Sequence, residues 1–242
     1  RKNLMFMKSM NDGIRGLMLK AGHAFDIIES NQNEELTKSS DNLIALLTPI
    51  LKSFATDKSM EITNQALQIY GGHGYITDHG MEQLVRDARI TPIYEGTNGI
   101  QAADLIGRKL TRDGGDMQQA TYSLLLSRIA LMSDTEKQSQ AKALLQEWHE
   151  VSQALLGAKA EDVAGAASDY LHYSAYCLLG VLWLDMASAA SQSTNEHIAN
   201  GKVNTCAFYM KRILPRKEMH KSVVLSAADD LLALTDQQYD YV

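Results

Sequence analysis

Apolar residues in this chain recur three, four and seven positions apart almost from end to end, and that period limits what it can fold into. In the first stretch they fall at Leu4, Met7, Ile14, Leu17, Met18, Ala21, Phe25 and Ile28, one face of a helix over residues 3–29. Only three prolines and four phenylalanines occur in 242 residues, too few for a turn-rich β-sandwich, and no useful length of strand-like alternation is present. The polar run 29–38 ends the first helix, and Leu43, Ile44 and Leu47 open a second pattern. Thr48 before Pro49 suits an N-cap with proline in the first turn, so either a new helix starts there or a continuing one kinks. The pattern then runs through Ile50, Leu51, Phe54, Met60, Ile62, Leu67 and Ile69 to Tyr70, where Gly71 and Gly72 stop it.

A loop, Gly72-His73-Gly74-Tyr75, leads to a short amphipathic helix over 81–90 with Met81, Leu84, Val85 and Ala88 inward, ended by Pro92. Thr97 is a candidate N-cap for a helix ending near Arg112. The loop Asp113-Gly114-Gly115-Asp116 divides the chain into units 1–115 and 116–242. In the second unit, Ser133-Asp134-Thr135-Glu136 has the form of a capping box, followed by Leu144, Trp148, Val151 and Leu155 on one face. Val163, Ala167, Tyr170, Ser174, Cys177, Val181, Leu184 and Ser188 mark a long helix whose small residues imply close packing. A helix over 205–214 is stopped by Pro215, and Met219, Val223, Ala227 and Leu231 mark the last. The expected architecture is all-α, one helical bundle followed by a second.

A net charge of −6 and a pI near 5.6 argue against a polyanion-binding surface, and so against nucleic acid as a partner. Cys177 and Cys206 lack a metal-ligand spacing and read as reduced buried thiols of a cytoplasmic protein. The most apolar stretch, 177–190, is interrupted by Asp185 and is too short to span a bilayer. The chain begins at Arg1 with helix period already running, and reads as the later part of something longer. His73 and His79 make a poor metal site without a third ligand, and Asp169 and His172 have a di-iron spacing with no second such pair, so no metal is expected. The methionines of the first helix, Met5, Met7, Met10 and Met18, read as packing.

Chemistry concentrates in residues 68–108. They contain Gln68-Ile69-Tyr70-Gly71-Gly72-His73-Gly74-Tyr75, then Glu82-Gln83-Leu84-Val85-Arg86-Asp87-Ala88-Arg89-Ile90, then Ile93-Tyr94-Glu95-Gly96-Thr97-Asn98-Gly99-Ile100-Gln101. A carboxylate between Tyr94 and Gly96, in a turn after Pro92, is the kind of group that an apolar wall turns into a base, although most of the 29 acidic residues are solvated surface. Arg86, Asp87 and Arg89 read as an intrahelical charge set.

In these ordered motifs the chain resembles the acyl-CoA dehydrogenase family over about residues 1–112, the last helical domain of that fold. From about residue 117 it is similar to the extra helical domain of the longer members. The resemblance implies a flavoprotein oxidoreductase of fatty acid β-oxidation that converts an acyl-CoA to its trans-2-enoyl-CoA. Glu95 matches the base that takes the α-proton while the β-hydrogen leaves as hydride to FAD. Tyr94 lines the acyl pocket or is a core aromatic; Gly96 lets the thioester lie close to the backbone or is a turn glycine. Arg108 matches an arginine near the thioester or is a surface residue. Thr97, Asn98 and Gly99 match a segment that lies against the flavin nucleotide, with a glycine where the family often carries glutamine. Gln68, Ile69, Tyr70, Gly71 and Gly72 match the segment that reaches the flavin of a neighbouring subunit, which implies a homo-oligomer. An electron-transfer flavoprotein is the implied acceptor. The family's flavin pocket is built mostly by domains outside these 242 residues, so the chain alone is expected to be inactive. An acyl-CoA oxidase and a non-catalytic docking module are the alternatives.

Overall fold

The computed structural model describes residues 1–231 and 233–238. Eleven α-helices, and no strand among the described residues, run in the order α1 (Lys2–Ser30), α2 (Glu34–Tyr70), α3 (Gly72–Tyr75), α4 (Met81–Ile90), α5 (Asn98–Ala103), α6 (Asp116–Ile129), α7 (Thr135–Leu156), α8 (Ala160–Gly165), α9 (Ala167–Ala190), α10 (Glu196–Phe208) and α11 (Lys217–Val224). Wider π-type turns continue α5 through Thr111 and α10 through Ile213. The Asp113-to-Asp116 turn is made by Gly114 and Gly115 at φ of 69° and 87°. One buried apolar cluster runs across it, from Phe6 to Val224.

The centre of that cluster is α9. Tyr170, Tyr173, Tyr176, Cys177, Leu179, Trp183 and Leu184 are all buried, on every side of the helix. Its 24 residues are long and apolar enough to cross a bilayer, a wider stretch than the sequence window suggested, and here its own bundle covers it. Several of its contacts are polar: Trp148 Nε1 donates to Ser174 Oγ (2.9 Å), Tyr170 OH pairs with Ser152 Oγ (2.8 Å), and Tyr209 OH donates to the Tyr176 carbonyl (2.9 Å), whereas Trp183 Nε1 is buried without a partner among the described residues. Burial pushes the Cys177 thiol up to about 12 and that of Cys206 up to about 11, which leaves neither available as a nucleophile.

α1 packs on this centre through a face rotated from the expected one. Phe6, Ser9, Met10, Gly13, Leu17, Ala21 and Ala24 are buried, whereas Leu4, Met18 and Phe25 are each more than half exposed. The cause is a close approach that hydrophobic counting ignores. A Cβ at Gly13 would lie 2.8 Å from both Leu179 Cδ2 and Trp183 Nε1, and one at Gly16 3.1 Å from Leu182 Cδ2. Gly13 and Ser9 therefore share the buried face with Phe6, Met10 and Leu17.

α2 is a single helix of 37 residues that starts at Asn33, whose side chain caps the Leu36 N–H at 2.9 Å. Pro49 lies inside it rather than opening a new helix. Proline lacks the N–H that would bond the carbonyl four residues back, at Ala45. Lys109 Nζ, from the wide turn after α5, donates to that carbonyl instead, with Asp104 as its carboxylate partner at 3.4 Å. The helix thus continues through the proline because another segment supplies the missing donor.

Other boundaries shift for local reasons. Asp134, not Ser133, caps α7 by accepting from Lys137 N at 3.0 Å, while Ser133 Oγ faces Ser188 Oγ at 3.4 Å. Val163 belongs to α8, and α10 starts at Glu196 on an Asn195 cap. On α4, Ala88 is buried but Leu84 is 50% exposed. α11 stops at Val224 and exposes Met219 and Val223, because its inward side is charged: Lys217 reaches Glu147 at 2.6 Å and His220 reaches Asp169 at 2.7 Å. Among the described residues Arg86, Asp87 and Arg89 make no ion pair, so the expected intrahelical set does not form.

Lys109→Met leaves the Ala45 carbonyl without a donor and is expected to cost about 1–3 kcal/mol in urea unfolding. In a Pro49→Ala background residue 49 regains its N–H, and the same substitution should cost about 1 kcal/mol less. Equal costs in the two backgrounds would show that Lys109 does not serve this carbonyl.

Candidate active site

The turn between α4 and α5 is closed by Asn98 N donating to the Pro92 carbonyl at 3.1 Å. Within it Glu95 and Gly96 are both left-handed, with φ of 56° and 81°. For glutamate this conformation costs about 1–2 kcal/mol, so the surroundings must impose it. They do so at the two carbonyls: Gln101 Nε2 donates to Glu95 O at 3.0 Å, and Lys52 Nζ from α2 donates to Gly96 O at 2.7 Å. Among the described residues the Glu95 N–H has no backbone acceptor. Its side chain is exposed beside Tyr94, which is 50% exposed and is therefore not a core aromatic.

Asn98 ties this turn to α2. Its Nδ2 donates to Asp57 Oδ1 (2.7 Å) and Ser53 O (3.1 Å), and its Oδ1 accepts from Lys52 Nζ (2.8 Å). This amide orientation matches donors to acceptors at each contact. Asp57 in turn uses Oδ2 to accept from His172 Nε2 on α9 at 3.1 Å. Beyond it, the His172 ring stacks on His220 of α11, with centroids 5.1 Å apart and planes 15° apart. His220 is bonded to Asp169. A line of polar contacts therefore runs from α11 and α9 through α2 to the Glu95 turn.

The remaining expected residues are placed as follows. Thr97 Oγ1 accepts from Ile100 N at 3.5 Å, an N-cap. The Asn98 side chain is committed inward, so only its backbone is open to a ligand. Gly99 is exposed with open space beside it. Arg108 pairs with Asp104 at 2.7 Å on its own helix and is 65% exposed. Gln68, Ile69, Tyr70, Gly71 and Gly72 form the exposed end of α2, with Gly71 at φ 61° and open space around both glycines. Sixteen residues separate Lys52 from Gln68 on one continuous helix, a rise of about 24 Å. The Gly71-Gly72 end and the Glu95 turn are thus separate surfaces of one chain.

Lys52, Asp57, Gln101 and His172 have roles in the turn that the sequence motifs did not assign. A signal existed: Lys52, Ser53, Thr56 and Asp57 form one polar stripe at helical spacing beside the apolar Ile50, Leu51 and Phe54. His172 and Asp169 sit at an i, i+3 spacing, but each takes a different partner. Among the described residues no group of three metal-ligating side chains forms.

An open cleft of about 660 Å³ beside α4 is lined by Met60, Leu67, Tyr75, Arg86, Ile90 and Ile93. A more enclosed apolar cavity of about 210 Å³ lies among α1, α2, α6 and α9 and contains no residue of the turn. Exposed Tyr94 and Ile100 at the turn, and exposed Ile69 and Tyr70 with the unobstructed Gly71 and Gly72 at the end of α2, form two separate open apolar surfaces, and neither encloses a site.

Burial works to raise the Asp57 carboxyl, but the His172 and Asn98 hydrogen bonds outweigh it and hold it below the usual carboxylate range. A depressed carboxyl contributes stability above the unfolded value, about 3.9, and loses it as pH falls through the folded one. Thermal unfolding followed from pH 6 to pH 3 should therefore drop less steeply in Asp57→Asn than in the natural chain, and parallel curves would contradict the network.

Residues 24–111 match the family described as acyl-CoA dehydrogenase, C-terminal domain, and residues 128–235 match one described as acetyl-CoA dehydrogenase C-terminal like. A 3-methylmercaptopropionyl-CoA dehydrogenase of Ruegeria pomeroyi is 42% identical over 115 residues, 48% of this chain and 19% of that protein. A broad-specificity linear acyl-CoA dehydrogenase, FadE5 of Mycobacterium tuberculosis, is 26% identical over 99% of this chain and 43% of its own length. The chain thus spans well under half the length of these relatives. Among solved structures, Caenorhabditis elegans ACDH-11 in complex with C11-CoA superposes with a TM-score of 0.74 at 19% identity, covering 99% of this chain and 39% of that one, so it has the same fold. Across both halves, this chain belongs to the acyl-CoA dehydrogenase family.

Proposed function

We propose that this chain is the C-terminal part of an FAD-dependent acyl-CoA dehydrogenase in which Glu95 is the base that removes the α-proton of an acyl-CoA thioester. The observation that carries this reading is the imposed left-handed turn at Glu95 and Gly96. It leaves the carboxylate exposed and the Glu95 N–H without a backbone acceptor among the described residues. A thioester α-proton is a poor acid, so its removal needs a positioned base together with a donor at the carbonyl oxygen where negative charge develops. One residue supplies both here, the carboxylate from its side chain and the N–H from its backbone. Gly96, without a Cβ, leaves the thioester room against the turn, and Tyr94 offers an apolar surface to the acyl chain. Bound FAD supplies the acceptor for the hydride that leaves the β-carbon as the trans-2-enoyl thioester forms.

Thr97, Asn98 and Gly99 present backbone to the nucleotide at this turn. Gln68, Ile69, Tyr70, Gly71 and Gly72, about 24 Å away along α2, serve the flavin of a second copy, which makes the protein a homo-oligomer. Arg108, paired with Asp104, extends beside the thioester end. Residues 1–115 are the family's helical domain and residues 116–242 an additional one. An electron-transfer flavoprotein takes the electrons onward, and the reduced buried thiols suit the cytoplasm.

The test uses the longest natural chain containing these residues, loaded with FAD and mixed anaerobically with a panel of acyl-CoAs. Glu95→Gln should keep flavin and acyl-CoA binding while slowing bleaching of the flavin band about 10²–10⁴-fold. Bleaching at the natural rate would remove Glu95 from the role.

A further inference from the structure

We propose that His172, on α9 in the second half of the chain, is a positioning residue for the Glu95 turn, acting through Asp57 and Asn98. The inference rests on Glu95 being the base. Its ground is a continuous set of contacts: His172 Nε2 to Asp57 Oδ2 at 3.1 Å, Asp57 Oδ1 to Asn98 Nδ2 at 2.7 Å, and Asn98 Oδ1 to Lys52 Nζ at 2.8 Å. The last link is Lys52 Nζ to the Gly96 carbonyl at 2.7 Å.

Each link has one chemically sensible direction. A carboxylate only accepts, so Nε2 of His172 carries the hydrogen and the Asn98 amide points its NH₂ at Asp57. That fixes the Asn98 oxygen toward Lys52, and the ammonium, held between this oxygen and the Gly96 carbonyl, fixes the turn. If Asp57 lost its His172 partner, it would be free to rotate or to draw Lys52 toward itself. Either movement releases the carbonyl that keeps Gly96, and with it Glu95, left-handed.

The His172 ring is itself fixed by its neighbours. It meets Phe54 edge-on at 5.6 Å and stacks on His220 at 5.1 Å, and its Nδ1 is buried with no hydrogen-bond partner among the described residues. With Nε2–H given to Asp57, Nδ1 is an acceptor left without a donor, so the ring's orientation is set by the Asp57 bond and by its packing. Residues 116–242 thereby reach the turn without touching substrate, which gives the second half of the chain a part in the reaction.

The test is amide hydrogen exchange, read by mass spectrometry on the chain itself, for peptides covering residues 92–101 and, as a control, α7. His172→Phe keeps the ring and its packing but removes the donor, and Lys52→Met breaks the link at the turn. Both should speed exchange over residues 92–101 by about ten-fold while leaving α7 within about two-fold, and His172→Gln, which keeps a donor, should restore protection. If His172→Phe does not fold, Asp57→Asn is measured in its place with the same expectation. In the longest natural chain containing these residues, loaded with FAD, His172→Phe should also lower bleaching at saturating acyl-CoA about ten-fold with the half-saturating concentration within about two-fold. Unchanged exchange at the turn, equal loosening of α7, no restoration by glutamine, or an unchanged bleaching rate would each overturn the proposal. If Glu95→Gln still bleached, the identity of the base would fail while the exchange result stood.

Discussion

The burial of α9 on every side governs how the rest of the chain is arranged. An α-helix satisfies its own backbone, but its apolar surface, carrying Trp183 and the three tyrosines Tyr170, Tyr173 and Tyr176, must be removed from water all around. No single neighbour can do that, so α1, α2, α7, α10 and α11 all lie against it. Close approach is bought with missing side chains: a Cβ at Gly180 would come within 2.5 Å of Leu144, just as Gly13 admits Leu179 and Trp183. The two halves on either side of the Asp113-to-Asp116 turn are consequently joined by one core.

Polar groups in such a core are tolerated where each has a partner, and they then fix orientation in a way that apolar packing does not. The stripe on α2 is the instance that matters for function. Lys52 and Asp57 bear opposite charges about 7.5 Å apart along the helix, five residues at the standard rise, and Asn98 sits between them with an oxygen for one and an amide for the other. Asparagine is suited to this because aspartate would set a second carboxylate against Asp57, and an aliphatic residue would leave both charges without their link. The outcome is a surface turn held from below by part-buried charges, with Glu95 left facing outward.

Much of this fold was legible because helical period survives in single sequences: α2 ended at Gly71, α4 spanned 81–90, and Thr97 capped the next helix. What escaped has one physical origin. Periodicity weighs residues by hydrophobicity, so it rotated α1 toward Leu4 and Met18, though the tightest packing is at Gly13. It also missed the inward charge of α11, where Lys217 and His220 depend on Glu147 and Asp169, partners 70 and 51 residues away. The Glu95 turn was legible as a motif, but its supports were not, since Lys52, Asp57 and His172 are brought to it only by tertiary packing.

Pro49 connects these two levels. It lies three residues before Lys52, so any kink there would swing the polar stripe relative to the first part of α2, which is packed against α1. Lys109 gives the Ala45 carbonyl the donor that proline denies it, and so ties this part of α2 to the segment that continues α5 after the Glu95 turn. Lys52 and Lys109 thus tie α2 to the α5 segment at two points, one through the Gly96 carbonyl and one through the Ala45 carbonyl. Two ties along a rigid rod fix orientation as well as distance, whereas one would leave a pivot. The turn can therefore keep a glutamate in an unfavourable backbone conformation at the surface, because α2 and the α5 segment on either side of it cannot rotate apart to relieve it.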